Sequence, residues 1–115
     1  MSSAPFPSAR RGSGLVFTSG LAAIDPATLT PTATTFAAQV ESVLDQLDKA
    51  LTEAGSSRAQ TLKLDCYLAD RHWFPEWNAA FAEFFGATAP ARTTTVTTLP
   101  IEGLLIEIQV IALAD

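Results

Sequence analysis

The segment from Leu104 to Leu113 reads as a strand that is apolar on both faces, which restricts the architectures open to the chain. Alternation puts Leu105, Glu107 and Gln109 on one face and Ile106, Ile108 and Val110 on the other. Such a strand needs cover on both sides. Helices of the same chain can supply one side and a neighbouring subunit the other. One charge, Glu107, interrupts the run between Ile106 and Ile108. A carboxylate in those surroundings is costly unless it is paired or functional.

The remaining patterning supplies the helices. Val40, Val43, Leu44, Leu47 and Leu51 recur at helical spacing and predict a helix from about Phe36 to Ala54. Thr34 or Thr35 suits its N-cap, and Gly55 its stop. A second helix is predicted from about Phe74 to Phe85, with Pro75 in its first turn and Gly86 at its end. Its stripe of Phe74, Trp77, Phe81, Phe84 and Phe85 is expected to pack in the core. Leu62 to Leu68 alternates, with Leu62, Leu64, Cys66 and Leu68 inward and Lys63, Asp65 and Tyr67 outward.

Arg92 to Leu99, rich in Thr and Val, predicts another strand, and Pro100 to Gly103 a turn. Near the start, Leu15 to Ser19 is β-prone, with Ser8 to Arg11 as its partner across Gly12-Ser13-Gly14. Residues 24–33, with Pro26 and Pro31, read as a loop. The order β(β)–α–β–α–β–β points to an α+β fold, with two helices on one face of a mixed sheet.

At 115 residues the chain fits one domain spanning 1–115. Its composition, 48% apolar and 17% charged, leaves surplus apolar surface for a subunit interface. The net charge of −5 and the single adjacent basic pair, Arg10–Arg11, argue against a nucleic-acid partner. Cys66 is the only cysteine, so no intrachain disulfide forms. No apolar run approaches the ~20 residues of a membrane span, and the N-terminal residues lack signal-peptide order. A cytoplasmic protein with no membrane partner is expected.

No metal site is evident. His72 stands alone without carboxylates at ligand spacing, and no Gly-rich phosphate loop is present. Cys66, on the apolar side of its strand, reads as a buried thiol. Arg92 opens an otherwise uncharged strand after Ala89-Pro90-Ala91. There its planar fork either receives a carboxylate or makes a surface or interface salt bridge. Glu107 either makes an interchain ion pair with a buried arginine or carries a raised pKa suited to proton transfer. The two lie on consecutive predicted strands, so each is a candidate partner for the other.

Several segments resemble the RidA (YjgF) family of imine/enamine deaminases. They are Gly14-Leu15-Val16-Phe17-Thr18-Ser19-Gly20, Gln39, Ala54-Gly55, Trp77-Asn78, Phe84-Phe85, Ala89-Pro90-Ala91-Arg92-Thr93, Leu99-Pro100, Ile106-Glu107-Ile108 and Ile111-Ala112. The resemblance implies a chorismate-mutase-like α+β fold and a homotrimer with ligand clefts between subunits. It implies cofactor-free hydrolysis of reactive imines and enamines to 2-keto acids and ammonia. Arg92 matches the arginine that binds the substrate carboxylate, and Glu107 the glutamate that places or activates water. Phe6, Ser19, Gly20 and Asn78 match substrate-binding positions. Two residues depart from the pattern: Phe6 replaces a usual tyrosine, and Leu21 a usual glutamine after Ser19-Gly20. A more hydrophobic substrate than the smallest enamine acid follows as an expectation. A non-catalytic carboxylate-binding trimer and a specialised-pathway enzyme using another imine are the alternatives. An RNA-cleaving role, known for some members, fits the acidic balance least.

Overall fold

A computed structural model describes residues 5–114, and its centre is a five-stranded sheet in the order β1-β2-β7-β5-β6. Strands β1 (Ala9–Gly12) and β2 (Leu15–Thr18) form a hairpin. Ser13 and Gly14 close it, both at positive φ (53° and 76°), as a two-residue turn with the twist of its strands requires. The strand β7 (Ile106–Leu113) lies antiparallel to β2 on one side and to β5 (Thr61–Leu68) on the other. The edge strand β6 (Ala91–Val96) runs parallel to β5, which requires a crossover.

Both helices cover one face, so the architecture is the expected α+β layer. Helix α1 (Phe36–Glu53) buries all five residues of its predicted stripe, together with Phe36, Gln39 and Ala50. Of the two candidate caps, Thr35 is the one used: its hydroxyl accepts from the Ala38 N–H at 3.2 Å. Gly55 follows at φ 79°. Gln39 is fully buried and makes three bonds. Its amide donates to the carbonyls of Ala33 (3.0 Å) and Gly103 (2.9 Å), and its Oε1 accepts from the Leu105 N–H (2.8 Å). This clamp fixes the turn before β7 and explains why β7 starts at Ile106, two residues later than expected.

Helix α2 (Phe74–Phe85) provides the crossover, and only part of its aromatic stripe is core. Trp77, Phe81 and Phe85 are buried; Phe84 is half-buried beneath the Arg58 guanidinium; Phe74 is 41% exposed. Three other expectations need correction. Residues 24–33 contain a small hairpin, β3 (Ile24–Asp25) with β4 (Thr30–Pro31), where the prolines suggested only loop. Strand β6 ends at Val96 rather than Leu99. In β5, Thr61 pairs with Ala112 and Lys63 with Ile111, so Leu62 is the extra residue of a bulge. Leu62 is therefore thrown outward, and Thr61 takes the buried place expected for it.

Candidate functional site

Strand pairing assigns every side chain to a face, because directly paired residues point the same way. Leu64, Cys66 and Leu68 of β5 are buried under the helices. Their partners are Val110, Ile108 and Ile106 in β7, and Arg92, Thr94 and Val96 in β6. Arg92 therefore lies on the helix-covered face, at the sheet edge. Tyr67 points the other way, and it pairs with Glu107 and Thr95. Glu107 therefore lies on the face that no helix covers. The two residues are not partners within one chain. They stand two strands apart, roughly 10 Å across the sheet, and on opposite sides of it.

Each gathers its own group. On the Arg92 side, Nη2 donates to Asn78 Oδ1 at 2.8 Å, one turn into α2. The guanidinium stands 4.6 Å above the Phe81 ring centroid and 5.7 Å from that of Phe74. Stacking on an aromatic face and a bond to Asn78 hold the fork in one orientation. Nη1 is buried and has no hydrogen-bond partner, and no carboxylate of the described residues forms an ion pair with Arg92. Two residues along the same face, the buried Thr94 hydroxyl is also without a partner. Sequence reasoning passed over Thr94, since a threonine in a Thr-rich strand reads as β propensity. Cys66 pairs with Thr94; burial pushes its thiol up to about 12, and the Arg92 charge pulls the other way. It is an inert thiol at neutral pH.

On the other side, Glu107 is half-buried, and burial raises its pKa above the ordinary 4.5. The carboxylate lies against the Gly20 backbone so closely that a Cβ at position 20 would overlap Oε2. The absence of a side chain at Gly20 leaves room for the approach, and a Cβ there would make the carboxylate shift. Leu21 exchanges backbone bonds with Ile108, N to O at 2.7 and 3.1 Å, which sets Gly20 beside Glu107. The Ser19 hydroxyl donates to the Pro7 carbonyl at 2.7 Å, and the Ser19 N–H to Ser8 O at 2.9 Å. Ser19 thus ties down the N-terminal segment that carries Phe6. A groove of about 550 Å³ runs there, with Phe6, Gly20, Leu21 and Ile24 on one wall and Gln46 and Lys49 of α1 on the other. Neither Arg92 nor Glu107 lines it. Leu21 itself is buried in the core, so its replacement of a polar residue alters this groove and not the Arg92 fork.

Arg92 and Asn78 are therefore brought together, as are Glu107 and Gly20, but the two pairs are kept apart, and Phe6 shares a groove with Gly20 and with neither charged residue. His72 is exposed, edge-on to Trp73 at 4.8 Å between ring centroids. Among the described residues no three His, Cys, Asp or Glu side chains converge, and no helix is long and apolar enough to cross a membrane.

Comparison with known proteins gives a consistent picture. The family described as Endoribonuclease L-PSP matches residues 1–114. A RutC family protein of Pyrococcus horikoshii is 34% identical over 109 residues, covering 94% of this chain and 86% of its own. The chloroplastic Reactive Intermediate Deaminase A of Arabidopsis thaliana is 33% identical over 109 residues, covering 94% and 58%. Among solved structures, a member of the YjgF/YER057c/UK114 family from Mycobacterium tuberculosis superimposes with a TM-score of 0.83 at 26% identity. That match covers 95% of this chain and 86% of the other.

Proposed function

The chain belongs to the endoribonuclease L-PSP family, which includes the YjgF and RidA proteins, and from that premise we propose that it hydrolyses 2-imino acids and their enamine tautomers to 2-keto acids and ammonia. The observation that carries the reading is the Arg92 fork: pinned by Asn78, seated on Phe81, and with Nη1 buried and unpartnered. A buried cationic donor without an acceptor is a site for an anion. The family's reactive intermediate deaminases make a 2-imino carboxylate the natural choice.

The separation of the two half-sites determines how the reaction is assembled. Arg92 sits at the sheet edge, and Glu107 on the uncovered face. One substrate meets both only when a second copy of the chain brings its Glu107 face against the first copy's β6 edge. A cyclic homotrimer does this three times, with one cleft at each interface. The exposed apolar side chains of that face, Phe17 and Leu113, give it reason to be covered.

In that cleft Arg92 holds the substrate carboxylate, and Glu107 of the neighbouring copy faces the C=N carbon. An ionised Glu107 takes a proton from water as the oxygen bonds to carbon. The nitrogen receives that proton and a neutral carbinolamine forms; Glu107 then moves the hydroxyl proton to nitrogen as the C–N bond breaks, so that ammonia leaves and the keto group forms. Water and imine thus become keto acid and ammonia, with no redox change. A raised pKa suits Glu107 to both transfers. Such imines also hydrolyse unaided, so clamping, water placement and proton transfer are sufficient.

A second reading has its own support. The Arg92 half-site is complete without Glu107, which would suit a trimer that binds small carboxylates without turning them over. The RNA-cleaving activity suggested by the family's description has less to rest on. The net charge is −5, and the single histidine lies on the surface beside Trp73.

Turnover decides between these. An amino-acid oxidase generates 2-imino acids of several sizes, and semicarbazide traps whatever imine survives. Faster loss of trapped imine with the wild type, abolished by Arg92→Ala, is the expected result. Saturable carboxylate binding without any acceleration would establish the binding protein instead.

A further inference from the structure

We infer that the groove between the N-terminal segment and α1 is a second ligand site, and that it binds a free α-amino acid with a bulky apolar side chain. Lys49 takes the carboxylate, Glu53 the ammonium, and the groove the side chain. This goes beyond the deaminase reading and does not depend on it.

The groove is separate from both charged half-sites, since neither Arg92 nor Glu107 lines it. Its volume of about 550 Å³ lies within the range of small-molecule sites, roughly 300–1,000 Å³. Phe6, Ile24 and Pro26 make its walls apolar, and the buried Leu21 and Ala50 form its floor. The small side chain of Ala50 lets the groove reach down to the surface of α1. Phe6 is 53% exposed, and an apolar group seated beside it would take that surface out of water.

The charges that line the groove are one cation, Lys49, and one carboxylate, Glu53. Gln46, Lys49, Ala50 and Glu53 are spaced three, four and seven residues along α1, so they share one face. Helical side chains lean toward the N-terminus, which sets Glu53 over the turn of Lys49 and Ala50. Neither Lys49 nor Glu53 takes part in the ion pairs Arg58–Asp48 and Lys63–Asp65. Their neighbour Gln46 is held in place: its Nε2 donates to Ala22 O at 2.9 Å and Ser42 Oγ at 3.1 Å. Both of its N–H groups are thereby used, and its Oε1 remains as a further acceptor beside Ala50.

This pattern selects the ligand. An apolar amine would leave Lys49 unused, and an apolar carboxylate or 2-keto acid would leave Glu53 unused. An α-amino acid carries both charges on one carbon and an apolar group on the same atom, which matches opposite charges one turn apart above an apolar channel.

The test is calorimetric titration of the intact protein with L-phenylalanine. Saturable binding is expected. L-Alanine, with the same head and little to place in the groove, should bind at least about tenfold more weakly. 3-Phenylpropionate and 2-phenylethylamine, each lacking one charge, should lose roughly fivefold, as should the exposed-site variants Lys49→Gln and Glu53→Gln. Arg92→Ala should leave the affinity unchanged, and excess pyruvate should not compete. No saturable binding by the wild type would overturn the assignment. So would equal affinities for L-phenylalanine and L-alanine, or charge variants that melt and bind as the wild type does. Loss of binding in Arg92→Ala, or competition by pyruvate, would place the ligand at the Arg92 fork and overturn it as well. Failure of the deaminase reading shows separately, as absent imine turnover in a protein that still binds L-phenylalanine.

Discussion

Arg92 and Glu107 point to opposite faces of one sheet, two strands apart, with Leu64 setting the side of the first and Tyr67 that of the second. Neither can serve the other's ligand within one copy. Each nevertheless sits in a prepared setting: Arg92 on Phe81 beside Asn78, and Glu107 against the bare backbone of Gly20.

Asn78 keeps the fork pointed by accepting from Nη2 without adding charge. Asn78→Asp replaces it with a carboxylate that competes with the substrate for the same guanidinium. KM should rise several-fold more in Asn78→Asp than in Asn78→Ala, with the difference shrinking at high salt because position 78 is exposed. Steady-state kinetics at two ionic strengths check this; equal effects of both substitutions would count against it.

Gly20 admits the Glu107 carboxylate, and Gly20→Ala would force it away. Turnover should drop by about tenfold or more, a part of the roughly 10²–10⁴-fold that a placed acid or base contributes, while affinity for pyruvate, the smallest 2-keto acid product, depends on Arg92 and changes little. Matched calorimetry and kinetics separate the two effects. Unchanged turnover would mean that Glu107 can act from another position.

Burial raises the Glu107 pKa, so the folded state favours the protonated acid. The sign follows from linkage: the contribution to stability is full below the unfolded value near 4.5 and is lost as pH rises through the higher folded value. Glu107→Gln has no such proton to lose. Its melting temperature should gain on the wild type as pH rises above 4.5, and the gain should level off once Glu107 is ionised. The same titration should give wild-type kcat/KM an acidic limb. A gap in melting temperature that narrows with rising pH would contradict the assignment.

Gln39 satisfies two carbonyls and one N–H that otherwise have no partner inside the fold. Gln39→Leu keeps the volume and removes all three bonds. A loss of about 2–4 kcal/mol is expected from the stranded backbone groups, measured as a lower urea midpoint.

Local signals in the sequence were enough for much of the fold. The α1 stripe, its Thr35 cap and the Gly55 stop depend on neighbours within a few residues, and all are seen. The alternation of Leu64, Cys66 and Leu68 was legible for the same reason. Leu62 was not, because its bulge arises from how β5 meets β7, a relationship between distant segments. The β3–β4 hairpin was hidden by its two prolines and short strands. In the site, the sequence picked out Arg92 and Glu107 as charges in apolar strands, but not their opposite orientations. That depends on the common pairing of β6 and β7 with β5, a matter of register and strand order. Thr94 stayed unseen because an unpartnered hydroxyl is a property of its surroundings and not of its residue type.

Under the proposed function, Arg92 and Glu107 act together only across two copies of the chain. Mixing of two inactive variants, Arg92→Ala and Glu107→Gln, by unfolding and joint refolding tests it most directly. If each cleft takes Arg92 from one copy and Glu107 from the next, random assortment rebuilds intact clefts at roughly a quarter of the interfaces, and imine turnover should return to about that fraction of wild type. If the mixture stays as inactive as either variant alone, while the two chains are shown to share oligomers, the shared cleft is wrong.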